Sequence, residues 1–244
     1  MSISFRRFQP EDRPGIEALN ERLQRAGIAD RVYPEADQRF ETAASPVTQE
    51  LYVAADGSAI HGGVWLHEQQ FLIAGQTVSA GWLKYPVAES VIDRAYSGVP
   101  TGLILTLMRR QPLLMALGMG GRGSPLARLL EGMSWTAIDV PFGFAPLRAT
   151  RVLKELRGLQ SRPWLAIAAR VLASTRTAPL VISPTNILRR MRVRRLLTDV
   201  TVVPEREFSD WSDRIWKEQC IHYPFMARRD ARILNRMYPV HAQG

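Results

Sequence analysis

The stretch VIDRAYSGVPTGLILTLMRR, residues 91–110, is where the chain changes character. Before it lie β-formers interrupted by small-residue turns; within it, Ser97–Gly102 reads as a glycine-containing turn that opens a helix running to about 111. Two long strands precede it, about 59–71 and 78–92, an antiparallel pair joined near Ala74-Gly75-Gln76. Ahead of those come ELYVAADGS, a strand closed by an Asp-Gly turn, and ISFRRF (3–8), whose alternation suits an edge or half-buried strand. Between them, QPEDRPGIEALNERLQRAG puts Ile16, Leu19 and Leu23 on one helical face and stops at Gly27. A short helix and loop fill the polar stretch around Pro34 and Pro46.

Downstream, PLLMAL (112–117) reads as a strand, SPLARLLEGM as a helix and WTAIDVPFGFAPL as another strand, giving the order β-α-β-β-β-α-β-α-β. Gly118-Met119-Gly120-Gly121-Arg122-Gly123 sits between strand and helix with the letters G-x-G-x-x-G. Taken alone, that spacing points to a dinucleotide-binding oxidoreductase, with Asp139 as ribose partner. Such a site requires further β-α-β repeats, and the region after 146 does not provide them. A tight, crowded turn is the other use for these glycines.

After 146 the composition shifts. Residues 1–146 carry 13 Lys+Arg against 15 Asp+Glu, 147–203 carry 12 against 2, and 204–244 carry 7 against 6, so the net +9 belongs to the middle segment. That segment suits phosphates, an anionic membrane face or an acidic partner; a solvated basic helical face is the plainer reading. RATRVLKELRGLQSRPWLAIAARVLAST looks helical with a break at Pro163. FSDWSDRIWKEQC reads as a helix with Phe208, Trp211 and Ile215 on one face, and MARRDARILNRMYP as a second. The domain boundary is expected near 146–150.

Several function classes drop out. Cys220 is the lone cysteine, so neither an internal disulfide nor a cysteine metal cluster is expected. Four histidines without H-x-x-x-H or H-E-x-x-H spacing argue against a zinc enzyme. No run of 18 apolar residues and no leader-like start occur, which predicts a soluble, cytoplasmic, bacterial-type protein. G-x-S-x-G and G-x-x-x-x-G-K-[ST] are absent. RRMRVRR (189–195) packs five arginines into seven residues, but no nucleic-acid motif or interleaved aromatics accompany it.

The element order over 3–146, with VIDRAYSGVPTGLILTLMRR after its fourth strand, resembles the GNAT superfamily of acetyl-CoA-dependent acyltransferases. The resemblance implies an α+β fold: a mixed, mainly antiparallel sheet flanked by helices, whose strands at 78–92 and 112–117 splay to admit the pantetheine arm. The family's pyrophosphate turn, Q/R-x-x-G-x-G/A, maps onto Ser97 to Gly102. Ser97 stands for the usual Gln or Arg and Pro100 for the middle glycine, while Gly102 fits. Val91, Ser97, Gly98, Val99, Thr101, Gly102 and Leu103 become the expected cofactor-binding residues for acetyl-CoA or another acyl-CoA. Backbone N–H groups backed by a helix dipole supply that chemistry, and Pro100 has none to give. Arg94, Arg109 and Arg110 lie near enough to offset phosphate charge.

For catalysis the resemblance implies a base on strand four. Glu89 is the first candidate, its alternative a solvent-facing carboxylate; Tyr96 is the candidate proton donor, with simple packing its favoured alternative. His61 and His67, six apart and sharing a strand face, come second; Trp65 and Trp82 read as core or pocket wall. Leu130 occupies the place where relatives often carry an acidic tyrosine, and Ser134-Trp135 replaces a Gly-Phe pair. Residues 147–244 resemble a basic helical segment followed by a truncated second GNAT-like α/β unit of bacterial relatives associated with surface polysaccharide production. The implied function is acyl transfer to an amine on a small-molecule or glycan-precursor acceptor; the alternative is a non-catalytic binding or assembly subunit. Peripheral contact of 147–203 with an anionic membrane fits the same context. An apolar face left open by the shortened unit predicts a homodimer.

Overall fold

The computed structural model describes residues 2–28, 46–117, 123–140, 201 and 203–238. The chain divides into two compact units, Met1–Thr136 with Glu205–Gly244, and Ala137–Pro204. The described residues of the second unit carry no helix or strand.

The first unit runs β1 (Ser4–Arg7), α1 (Arg13–Arg25), β2 (Thr48–Asp56), β3 (Ala59–Ile73), β4 (Gln76–Ala88), α2 (Val99–Arg110), β5 (Leu114–Ala116) and α3 (Pro125–Gly132). After the second unit come α4 (Asp210–Cys220), β6 (Phe225–Ala227) and α5 (Ala231–Met237). The sheet order is β1-β2-β3-β4-β5, with β6 added on β3. Every pairing is antiparallel except β4–β5. This is the mixed, mainly antiparallel α+β sheet expected from the sequence. The described sheet has one β-α-β unit, β4-α2-β5, which precedes Gly118–Gly123, and no described strand after α3 pairs with β5 to extend it for the dinucleotide reading. Gly118–Arg122 themselves lie outside the described residues.

Helices cover both faces of the sheet, α1 on one and α2 with α3 on the other. Ile16, Leu19 and Leu23 of α1 bury against Leu51, Val53, Ala55 and Ile60. Val99, Leu103, Ile104 and Leu107 of α2 bury against Tyr52, Ala54, Val64, Leu66 and Leu83 on the other side. The alternation of β2, Leu51-Val53-Ala55 to one helix and Tyr52-Ala54 to the other, is the period-two pattern of a strand covered on both faces. Gly27, at φ +80°, ends α1 where a side chain would be strained.

Gly102 lies inside α2, where the Phe5 ring of β1 fills the space a Cβ would need. Gly102→Ala should gain about 1 kcal/mol of helix propensity and lose about 3 kcal/mol to overpacking. A net loss near 2 kcal/mol is expected in urea unfolding, and Phe5→Leu in the same chain should restore part of it.

Three expectations change at the C-terminal side. Residues 135–140 form no strand; the remainder of that expected strand, the basic segment 147–200 and the boundary near 146–150 lie outside the described residues. Met226-Ala227 belong to β6 rather than to a helix, and α5 starts at Ala231, capped by Asp230 Oδ1 accepting from the Ile233 N–H (2.9 Å). Among the described residues the expected second α/β unit has no sheet of its own. β3 outruns β2 beyond Glu68, leaving its edge at Phe71–Ile73 open, and β6 takes that edge. Phe225 stacks on Phe71 at 4.8 Å, and the Arg228 guanidinium donates to Gln70 Oε1 at 2.7 Å. Phe208 and Trp211 are half-buried with ring centroids 5.8 Å apart, while Ile215 is exposed.

Candidate functional site

β5 is pinned to β4 at one end only. Gly81, Trp82 and Leu83 pair with Leu114, Met115 and Ala116, and among the described residues the ladder stops there. The pin is polar. Gln111 Nε2 donates to the buried carboxylate of Glu68 (2.6 Å), Gln111 Oε1 accepts from the Leu113 N–H (3.1 Å), and the Gly81 N–H donates to the Leu113 carbonyl (2.8 Å). Arg110, bonded to Glu68 at 3.3 Å, holds the C-terminus of α2 to the same point. Among the described residues β4 continues five residues past its last partner, so Lys84–Ala88 have no strand partner on the β5 side.

A bulge sits on that open segment. Gly63 pairs with Val87 and Trp65 with Lys84, so Tyr85 and Pro86 have no register partner on β3. Tyr85 has φ 49°, a left-handed conformation that costs a non-glycine residue strain, and its side chain is exposed. Pro86 explains the position, since proline in a sheet is confined to edges and bulges. The K-Y-P letters at 84–86 were the available signal, and the sequence reading passed over them as continuous strand.

The N-terminus of α2 closes the wide end. Val99 packs on β3 at Gly62, next to the Val87 carbonyl and Ala88. Gly98 is the N-cap residue, Pro100 falls in the first turn, and the N–H groups of Gly98, Val99 and Thr101 have no hydrogen-bond partner among the described residues. Three expected donors are corrected. The Ser97 N–H donates to Arg94 O (3.1 Å) and the Gly102 N–H to Gly98 O (3.0 Å). Leu103 is one residue deeper in the helix, its side chain buried in the core. Val91 lies in a one-turn 3₁₀ segment, Glu89–Val91, with its side chain exposed.

Glu89 lies just past the end of β4 and is 5% exposed, not solvent-facing. Both its oxygens are engaged: Arg22 donates through Nε (2.5 Å) and Nη2 (2.8 Å), and His61 Nδ1 lies 2.7 Å from Oε2. Arg22 also reaches the Ile60 carbonyl at 2.8 Å, so the cluster ties α1 to the ends of β3 and β4. Burial pushes the Glu89 carboxyl up, but the hydrogen bonds from Arg22 and His61 and their charge outweigh it, leaving it below its ordinary value. Such a carboxylate is a weak proton acceptor. The Tyr96 ring stacks on His61 at 4.1 Å, adding an aromatic lid to this clamp. Neither Arg22 nor the bidentate geometry was readable from residue spacing.

The second histidine is built differently. His67 shares the α1 side of the sheet with Trp65, which packs against the α1 cluster. Its β4 partner is Trp82, with ring centroids 5.3 Å apart, and Trp65 meets it edge-on at 6.5 Å. Burial first, and then the charge of Lys84, pull its imidazole down to about 4. It is neutral at pH 7, and its ring nitrogens have no hydrogen-bond partner among the described residues.

Leu130 is buried in the α2-side core, so no hydroxyl stands at that place. Among the described residues no group of His, Cys, Asp or Glu could hold a metal ion, and no helix is long and apolar enough to cross a membrane.

No family model matches the chain, and no curated protein matches it. Some solved structures are similar to part of the chain. An aminoglycoside acetyltransferase from an uncultured soil metagenomic sample matches over 61% of this chain and 100% of its own, at 16% identity and TM-score 0.43. A predicted acetyltransferase with acetyl-CoA from Clostridium acetobutylicum matches over 59% and 96%, at 14% identity and TM-score 0.40. A ribosomal-protein-alanine N-acetyltransferase from Brucella melitensis matches over 60% and 100%, at 14% identity and TM-score 0.37.

Proposed function

We propose that the chain transfers an acetyl or other acyl group from acyl-CoA to an amine of a small-molecule or glycan-precursor acceptor. The observation that carries this reading is the open edge of β4. It starts at the pinned pair Leu83–Ala116, carries the bulge at Tyr85–Pro86, and ends beside the unpartnered N–H groups of Gly98, Val99 and Thr101. An extended amide-bearing arm suits an unpaired strand edge, and a pyrophosphate suits a helix N-terminus. From Val87 back to Leu83 the strand covers about 13 Å. An arm anchored at α2 therefore delivers its thioester to the narrow end of the gap. In this reading Glu89, with Tyr96 over His61, holds the wide end in shape. The basic segment 147–203 is proposed to rest on an anionic membrane surface, which liposome flotation at low and high salt tests.

Isothermal titration of the full chain with acetyl-CoA should show one binding event that weakens as salt is raised. No heat at any salt concentration sinks the reading. Pro100→Ala returns a donor to the first turn and should tighten binding about tenfold or more, since a hydrogen bond to a charged group contributes about 1.5–3 kcal/mol.

A second reading is a non-catalytic binding or assembly subunit. The full engagement of Glu89, the missing N–H at Pro100 and the hydrocarbon at Leu130 favour it. Binding of acetyl-CoA with no CoA release in the presence of any amine would select it.

A further inference from the structure

We propose that His67 takes the proton from the attacking amine, and that Trp65, Trp82 and Lys84 around it admit an acceptor that arrives as a neutral amine on a flat, apolar body. This rests on the acyl-transfer reading above. His67 is directly across from Trp82, one residue before the last β4–β5 pair, and so lies one strand in from the open edge, level with its narrow end. Glu89 stands at the opposite, wide end and is held by Arg22 and His61. His67 is 6% exposed, and its ring nitrogens, without a hydrogen-bond partner among the described residues, keep contact with solvent, so a substrate can reach them.

The groups sharing its face are few. From β2 the register partner is Gln49, from β4 Trp82 and Lys84, and from β3 Trp65. α1 presents Ile16, Leu19 and Leu23 to this side of the sheet, and its Arg22 is committed to Glu89 and Ile60. Among the described residues Lys84 is the charge that acts on the imidazole, and it disfavours a cationic neighbour. A neutral, weakly basic imidazole cannot deprotonate a free alkylammonium, but it accepts the proton of an amine that has begun to bond to carbon. An aryl amine meets both conditions, and the indoles of Trp65 and Trp82 give its ring a stacking surface.

The step balances without another reactant. The amine lone pair forms the C–N bond at the thioester carbonyl carbon, and the C=O π pair moves to oxygen. His67 takes one N–H proton. The oxygen pair then re-forms C=O and expels the CoA thiolate, which takes the proton back from the imidazolium. An amide and CoA thiol leave, and His67 is again neutral.

The test uses the full chain, acetyl-CoA, and 4-methoxyaniline and benzylamine as probe acceptors, following thiol release. The expected result is turnover of the aryl amine in preference to benzylamine. His67→Gln should lower kcat about 10²–10³-fold with an unchanged melting temperature and acetyl-CoA affinity. Glu89→Gln should not produce that split. A wild-type rate in His67→Gln, preference for benzylamine, or turnover of neither amine by a chain that binds acetyl-CoA overturns the proposal. Failure to bind acetyl-CoA at all overturns the underlying reading instead. Should the Gln variant not fold, ¹⁵N-histidine spectra of the wild type with unreactive desulfo-CoA decide. Adding the aryl amine should shift the His67 ring nitrogens, and no shift overturns the assignment.

Discussion

Arg22→Ala lowers stability by about 3 kcal/mol at pH 7, a fall of roughly 6–12 °C in melting temperature. The substitution leaves the Glu89 carboxylate buried at the end of β4 with His61 as its remaining partner. It also removes the donor to the Ile60 carbonyl, so α1 loses a polar tie to the sheet. Removing one side of a buried ion pair is costly because the other side stays out of water. The pH dependence has a definite sign. In the wild type the Glu89 carboxyl is below its ordinary value, so its contribution is present above the unfolded value near 4.3 and is lost as pH falls through the lower folded value. Without the guanidinium, burial is less opposed and the carboxyl rises. The variant then recovers by protonation as the medium is acidified. Denaturant unfolding of both chains at pH 7, 5.5 and 4 should show the deficit shrinking toward acid. A deficit independent of pH contradicts the clamp.

Gly62→Ala should cost about 3 kcal/mol and weaken acetyl-CoA binding at least tenfold. A Cβ at Gly62 would lie 2.7 Å from Val99 Cγ1, 2.9 Å from the Val87 carbonyl oxygen and 3.2 Å from the Ala88 Cα. Two of these neighbours are backbone atoms of β4, and cannot rotate away. The first turn of α2 must lift off the sheet, carrying the Gly98, Val99 and Thr101 amides with it. Adding Val99→Ala relieves one of the three contacts, so stability should return only in part. Calorimetry and urea unfolding on the same samples check both effects. Loss of stability with unchanged affinity would detach the α2 N-terminus from the site.

Much of this arrangement was legible because the signals were local. Alternation in Leu51–Ala55, the 3.6-residue spacing of Ile16, Leu19 and Leu23, and the Ala74-Gly75 turn each depend on neighbours in sequence, and the elements formed there, except that the strand expected to run to 92 ends at Ala88. The turn into α2 was also found, but its donors were over-counted. Ser97 and Gly102 have N–H groups that the 3₁₀ turn and the helix consume, and which amides are spent is decided by the helix start, not by glycine content. Gly102 in particular is small for Phe5, a residue 97 positions away. Glu89 illustrates the same limit: its partner Arg22 is 67 positions distant, and its burial comes from that pairing. The bulge at Tyr85–Pro86 had a local signal in Pro86 that strand propensity on either side overrode.

Amide spectra most directly test the claim that the open edge of β4 and the N-terminus of α2 form one acyl-CoA site. ¹⁵N-labelled chain titrated with desulfo-CoA should show its largest shifts at Lys84, Tyr85, Val87, Gly98, Val99 and Thr101, saturating together at one affinity. Shifts absent from these amides, or confined to the glycine-rich link and α3 at 118–132, would contradict it.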